Sequence, residues 1–504
     1  MNLLGIDIGT SGCKAGIFDV DGNQVAFAKR SYDVIFSEGG GAELDSDEVI
    51  KKCFEAIKEC TAKAVPGSVK ALSISSQGEA FTAIGQDNEI LCNGMVSSDS
   101  RSKPYINGLV EAIGEEKLYN ITGHTAYPIF TVFKLLWLKV NRPDVWEKAK
   151  YFLCFEDLLV LRLGAEPVIS WSLAGRTMLF DVRKHEWSDR ILDELGLPKA
   201  KLATPMASGS IIGVVNKSLA YELGLPSDTV IVSGGHDQTC SSLGAGVTDE
   251  GVAMLATGTV ECITAAFKTP VFTENLRKNN LCTYDYTIKD TYSSIAYNLT
   301  GGNILKWFVN EFGQKEIEES KLIGADPYKL VLSKMSPDPT GILVLPYFTS
   351  SGTPYFDTQT MGAIYGLRLT SSRGEILRAL LEGVALEMRL NLEILQKSGY
   401  NIHELRAVGG GAKSLKWTQL KANVLNKKIT TLNIKETGCY GAAMLACSAK
   451  FGIPVADIAK NWVKPAAFAE PNQQLSNWYA NKFEKYKELY KALKNLSFVS
   501  YRNI

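Results

Sequence analysis

Slid along itself by 249 positions, the sequence lays residues 3–18 over residues 252–267. Ile8-Gly9-Thr10 then faces Thr257-Gly258-Thr259, Cys13 faces Cys262 and Phe18 faces Phe267. Both segments read as strand, tight glycine turn, strand. They open the two halves of a 504-residue chain, a placement that points to duplication. So long a chain exceeds one ordinary core, and the repeat imposes two related α/β halves with a ligand cleft between them. Residues 1–248 form the first half and residues 249–504 the second.

Local patterns fill in this plan. Residues 3–8 and 15–20 are apolar runs joined by Gly9-Thr10-Ser11-Gly12. Asp21-Gly22-Asn23 turns the chain into a third strand over 24–29, completing an antiparallel meander. Apolar residues at 49, 50, 53, 54, 57 and 60 predict an amphipathic helix over 46–63. Asp45 or Ser46 caps it, and Asp47 and Glu48 suit its first turn. A strand follows over 69–75 and the alternation continues, so the fold class is α/β. Trp478, Tyr479, Phe483, Tyr486 and Tyr490 predict a closing amphipathic helix over 472–496, packed on the second half.

Composition excludes several classes of function. Lysine plus arginine (54) equals aspartate plus glutamate (54), which argues against a nucleic-acid or polyanion surface. The most apolar candidate for a membrane span, residues 151–163, contains Glu156, Asp157 and Arg162. Ten cysteines show no C-x-x-C pair, and the four histidines are isolated, so a zinc site is disfavoured. With no basic leader ahead of the first strand, the expected location is the cytoplasm.

Three segments carry the chemistry. In the first turn, glycines let backbone N–H groups converge on an anion, Thr10 and Ser11 add hydroxyl donors, and Lys14 supplies a point charge for phosphate oxygens. Asp7, at the end of an apolar strand, suits a magnesium ion held through water. The same residues also suit a plain hairpin. The second turn repeats the hydroxyl pattern without the carboxylate, since Ala256 stands opposite Asp7. Residues 230–238 run from a buried strand through Gly234-Gly235-His236 to Asp237 at a helix start. A carboxylate there either caps the helix or accepts a proton from a substrate hydroxyl. The strand over 405–408 ends in Gly409-Gly410-Gly411-Ala412-Lys413-Ser414, where Ala412 replaces the glycine a P-loop needs before its lysine. Bare backbone there admits a flat ring or a sugar, adenosine being the natural candidate.

Taken together these segments resemble those of the FGGY-type carbohydrate kinases, a family sharing its ATPase fold with actin, hexokinase and the heat-shock chaperones. Residues 4–11 resemble the first phosphate turn, residues 234–238 the catalytic segment, Thr257-Gly258-Thr259 the second phosphate turn and residues 408–414 the adenosine motif. The C-terminal signature is matched by residues 362–367 and 375–383; the N-terminal one is matched by Lys134-Leu135-Leu136-Trp137-Leu138, with Ile129 and Val140 departing at its ends. The resemblance implies two duplicated actin-like (ribonuclease H-like) domains with a cleft between them. It makes Asp237 the catalytic base and Asp7 the residue that positions magnesium. Thr10, Ser11, Lys14, Thr259, Gly302, Gly410 and Gly411 line ATP. Gln77, Glu79, Asp99 and Asp237 meet the carbohydrate, and a homodimer is allowed.

The carbohydrate loops depart from the family patterns. Xylulokinases read Gln-Met-His-Gly where this chain has Gln77-Gly78-Glu79-Ala80, and glycerol kinases read Arg-Glu where it has Gly78-Glu79. Ser97-Ser98-Asp99-Ser100-Arg101 lacks the usual preceding tryptophan. Losing these side chains is expected to open the pocket. With no arginine at 78, Glu79 is expected to repel an anionic acceptor, which favours a neutral ketose or polyol over an aldonate such as gluconate. The rival from another class, a nucleotide switch binding a protein partner, would need an interaction domain or polymerising surface that this evenly charged chain does not show.

Overall fold

The computed structural model describes residues 1–494, and its frame is two sheets built on one plan. In the first, β1 (Asn2–Gly9), β2 (Gly12–Asp19) and β3 (Gln24–Ser31) form the antiparallel meander. β4 (Val69–Ser76) lies parallel to β1; β5 (Ile211–Val214) is antiparallel to β6 (Val230–His236), which lies parallel to β4. The order is β5-β6-β4-β1-β2-β3. In the second sheet β7 (Val252–Thr257) pairs antiparallel with β8 (Glu261–Phe267). A two-residue edge strand β9 (Tyr284–Asp285) and β10 (Tyr292–Asn298) continue beyond β8. On the other side of β7 lie β11 (Glu404–Val408) and β12 (Lys428–Leu432), both parallel, then antiparallel β13 (Pro465–Ala469). Each sheet is thus a meander whose first strand starts a parallel run closed by one antiparallel strand.

The duplication read from the turns is real, but a fixed offset does not hold across both strands. Ile8 pairs with Cys13, whereas Thr257, its counterpart, pairs with Glu261 and not with Cys262. The second hairpin has one residue fewer between these pairs. Because side chains alternate faces, the slip brings the buried carboxylate of Glu261 beside the second turn, where the first half has Cys13.

Helices cover the sheets as their periodicity requires. α1 (Ser46–Lys63) buries Val49, Ile50, Cys53, Ala56, Ile57 and Cys60 beneath β2 and β3. Its cap is Asp45, whose side chain accepts from the Glu48 N–H at 3.0 Å. α2 (Asp237–Gly244) follows β6. α3 (Gly302–Phe312), the long α4 (Arg373–Lys397) and α5 (Leu415–Leu425) belong to the second half, and α6 (Thr437–Phe451) follows β12 as α2 follows β6. The closing helix is α7 (Gln473–Leu493), whose Tyr479, Phe483, Tyr486 and Tyr490 are buried against the second-half core while Trp478 remains partly exposed. Residues 495 and 496 of the expected helix lie outside the described residues.

The two halves share their cores. Cys282, Tyr284 and Ile295 pack into the first-half cluster, and α6 lies on the first sheet, where a Cβ on Gly5 would stand 1.8 Å from the Cys439 carbonyl oxygen. α2 and α6 cross at glycines: a Cβ on Gly441 would stand 2.0 Å from the Cys240 carbonyl oxygen, and one on Gly244 would stand 2.1 Å from that of Thr437. Backbone cannot yield as a side chain can. Gly441→Val is therefore expected to destabilise the protein by at least the ~1–3 kcal/mol of ordinary overpacking, measured by urea unfolding. A midpoint equal to wild type would show that the crossing tolerates separation.

Among the described residues no helix is long and apolar enough to cross a membrane, and the cysteines are all free thiols.

Candidate active site

Strand register brings the chemistry to one edge. Across three parallel neighbours Asp7 lies beside Ser75, and Ser75 beside Gly235. The C-terminal ends of β1, β4 and β6 therefore deliver Asp7, Gln77 and Asp237 side by side, the usual place for ligands in a parallel sheet. In the second sheet Ala256 lies beside Val408, so Thr257-Gly258-Thr259 and the glycine run after Val408 emerge together. The two edges meet: Lys14 pairs with Glu436, in the turn before α6, at 2.8 Å, and a Cβ on Gly438 would stand 2.8 Å from the Asp7 carboxyl carbon.

The first turn is braced rather than loose. Thr10 Oγ1 donates to Gln77 Oε1 at 2.8 Å, and Gln77 Nε2 donates to the Gly9 carbonyl at 3.3 Å. Gln77, expected at the carbohydrate, thus turns to the Gly9-Thr10-Ser11-Gly12 turn; Ser11 is exposed at its tip. Asp7 accepts from Ser75 Oγ at 2.8 Å and lies 3.5 Å from Lys14 Nζ. Burial pulls the Lys14 ammonium down, but Asp7 and Glu436 more than offset it and keep it charged. Thr259 is exposed, and its carbonyl accepts from the Gly301 N–H at 3.1 Å. Gly302 donates to the Gly258 carbonyl at 2.8 Å, so its N–H anchors the second turn to the start of α3. Gly410 is exposed, and a Cβ on Gly411 would stand 2.4 Å from Thr257 Cγ2, which seats the glycine run directly on that turn. Lys421 Nζ supports the same turn, donating to Thr257 Oγ1 and Glu261 Oε1, both at 2.6 Å.

Around Glu79 the expectation of an unneutralised carboxylate is overturned. The Nε of Arg176, just past the short helix Trp171–Gly175, donates to Glu79 Oε1 at 2.7 Å, and Nη2 reaches the same oxygen. Nor is the space above Gly78 open, because His236 and the Arg176 stem fill it. Glu79 itself is buried at a positive φ of 64°, uncommon for a side-chain-bearing residue and characteristic of sites where surroundings dictate the backbone. The N-terminal signature lysine explains part of that hold. Lys134 Nζ donates to the carbonyls of Glu79 at 2.9 Å and Val96 at 3.0 Å, and burial pulls its ammonium down to about 8. Asp99 is enclosed, its side chain 0% exposed. It accepts from the Ala42 N–H at 2.9 Å, the Arg101 N–H at 3.0 Å and the Arg101 guanidinium. The contact with carbohydrate expected of its carboxylate is thus not open in this structure, because the carboxylate caps its own turn. Arg101 is held in turn by Asp99, by Glu43 and by the face of Trp137, 4.2 Å away.

Asp237 begins α2 with its side chain 30% exposed. Desolvation, then the negative charges of Asp7 and Glu79, push its carboxyl up to about 7, where a general base is most effective. His236 Nε2 lies 3.1 Å from Asp237 Oδ1, and its Nδ1 lies 3.0 Å from the Tyr284 hydroxyl. Behind them Gly234, left out of the ladder by a shift in register, donates its N–H to Glu156 Oε1 at 2.8 Å. A narrow pocket alongside is walled by His124, Phe130 and Arg176 from the first half and by Asn280, Tyr297 and Phe356 from the second.

Local sequence patterns mark Asp7, Thr10, Lys14, Asp237 and the two glycine segments, all of which meet at this edge, but not Arg176, Glu436, Glu156 or Tyr284. None sits in a recognisable local pattern. Arg176 shows only as a cation in a mostly apolar stretch, and its partner is 97 residues away.

Known proteins share the family profile and the fold of this chain. The profile of the FGGY family of carbohydrate kinases, N-terminal domain, matches residues 2–244, and that of the C-terminal domain matches residues 253–450. The xylulose kinase of Bacillus subtilis (strain 168) is 26% identical over 502 residues, covering 98% of each chain. A gluconokinase of Bacillus licheniformis is 24% identical, covering 98% of this chain and 96% of its own. The fold of the ligand-bound xylulose kinase from Lactobacillus acidophilus superposes with a TM-score of 0.90 at 24% identity, covering 98% of this chain and 99% of that one. The chain therefore belongs to the FGGY family of carbohydrate kinases and catalyses the ATP-dependent phosphorylation of a hydroxyl on a small carbohydrate.

Proposed function

We propose that the acceptor is a neutral ketose, of the pentulose class, or a related polyol, and that Asp237 is the base that orients its hydroxyl. The observation that carries this reading is the Glu79–Arg176 pair. Each charge is neutralised by the other, and both Arg176 donors in contact with Glu79 converge on Oε1. Oε2 then serves an uncharged hydroxyl, whereas a substrate carboxylate would have to compete with Glu79 for the guanidinium. The relatives named xylulose kinase support a pentulose, and those named gluconokinase supply the competing acceptor.

The residues present fit a magnesium ion. Among the described residues no cluster of three metal-ligating side chains exists, and Asp7 is one carboxylate beside the first phosphate turn. A single carboxylate with water and substrate phosphates is how magnesium is commonly held at kinase sites. When bound, the ion neutralises charge on the transferring phosphoryl group. The chain's own part is to seat phosphates on the two glycine turns with Thr10, Ser11, Lys14 and Thr259, to admit adenosine over Gly410 and Gly411, and to take the acceptor proton on Asp237. Closing the halves excludes water as a competing acceptor.

A coupled ADP-release screen over pentuloses, hexuloses, polyols and aldonates tests the acceptor. A neutral ketose or polyol is expected to give the highest kcat/KM. Gluconate as the best acceptor would overturn the reading.

A further inference from the structure

Gly78 and His236 occupy a single volume. A Cβ on Gly78 would stand 2.9 Å from His236 Nε2 and 3.0 Å from its Cδ2, so the imidazole sits where any side chain at 78 would lie. The ring is held at every polar atom. It is 4% exposed, Nε2 faces Asp237 Oδ1 at 3.1 Å, and Nδ1 faces the Tyr284 hydroxyl at 3.0 Å. The His236 backbone N–H donates to Ser172 Oγ at 3.1 Å. Tyr284 comes from the edge of the second sheet yet is fully buried in the first-half core, with its Cβ beneath Gly175.

Hydrogen-bond chemistry then assigns the proton. Burial, and next the charge of Arg176, hold His236 well below its ordinary range, so the ring is neutral with one N–H. An ionised carboxylate can only accept, which places that N–H on Nε2, and Nδ1 then accepts from the Tyr284 hydroxyl. We propose that His236, fixed in this tautomer by Tyr284 and admitted by the missing side chain of Gly78, is a positioning residue that holds Asp237 by Oδ1 and leaves Oδ2 facing the acceptor hydroxyl. The proposal rests on Asp237 being the base. Gly78 thereby gains a purpose: it is the space that the imidazole needs.

The test separates this role from mere support of the fold. His236→Phe fills the volume without a donor and is expected to lower kcat by about 10–100-fold, with KM for ATP and acceptor changed by less than about threefold. His236→Gln restores an amide N–H near Nε2 and is expected to recover at least half of that loss on a logarithmic scale. Tyr284→Phe removes only one oxygen and is expected to lower kcat by about three- to tenfold in the wild-type background. It should do nothing further beside His236→Gln, since an amide has no tautomer to fix. Equal losses in the Phe and Gln variants, or a Tyr284→Phe effect that persists beside His236→Gln, would overturn the proposal. If His236→Phe fails to fold, as judged by its thermal melt, the Tyr284 and Gln variants still decide. Asp237→Asn run in parallel keeps the two readings apart. Turnover surviving in it removes the base, whereas turnover surviving only in His236→Phe removes the positioning role alone.

Discussion

Asp237→Asn is expected to lower turnover by about 10²–10⁴-fold while leaving ATP affinity within about twofold of wild type. The amide keeps the size and the hydrogen bond to His236 but cannot take the acceptor proton. The carboxylate is pushed up to about 7 by desolvation and by Asp7 and Glu79, so the sign of the pH dependence follows. As pH falls through that value the base is lost, and wild-type kcat/KM should drop about tenfold per unit on the acid side while levelling off on the alkaline side. The residual activity of Asp237→Asn should lack that limb. Steady-state kinetics from pH 5 to 9 with calorimetric titration of nucleotide would check both parts. Near-normal turnover in the variant would take Asp237 out of the reaction.

Glu79→Ala has the largest expected effect on stability. It strands the Arg176 guanidinium, whose side chain is only 9% exposed, without its counter-charge. Removing one partner of a buried pair typically destabilises by about 3–5 kcal/mol, more than deleting an exposed carboxylate would. Denaturant unfolding should show this loss, and Arg176→Met added to Glu79→Ala should return part of it, because the uncompensated charge is gone. For catalysis, kcat/KM for the carbohydrate is expected to fall about ten- to a hundredfold in Glu79→Ala. If the single and double variants unfold together, near wild type, the pair is not holding this loop. Normal phosphorylation by Glu79→Ala would remove Glu79 from acceptor recognition.

The contrast between these residues shows how far local sequence reaches. Asp237 was legible because a strand, two glycines and a carboxylate follow one another within nine residues, and backbone geometry at such a junction is a short-range matter. The same holds for the first turn, where Asp7 through Lys14 form one hairpin, and for α1, whose capping residue and apolar spacing lie in a single segment. The duplication was visible for a related reason. Each half begins with the same strand-turn-strand pattern, though only the pairing of Thr257 with Glu261 revealed the one-residue slip.

Short-range pattern alone therefore carries the α/β class, the duplicated plan, the two glycine turns and the position of Asp237 at a strand–helix junction. Which charges are satisfied and which spaces are filled depends instead on tertiary packing. Glu79 looked unpaired because its partner is 97 residues away; Lys14 finds Glu436 from the other half. Gly78 looked like a vacancy, yet it seats His236, which Tyr284 reaches from the second sheet. The physical reason is common to all of them. Dihedral preference and periodicity act over a few residues, whereas ion pairing and volume depend on which segments packing brings within a few ångströms.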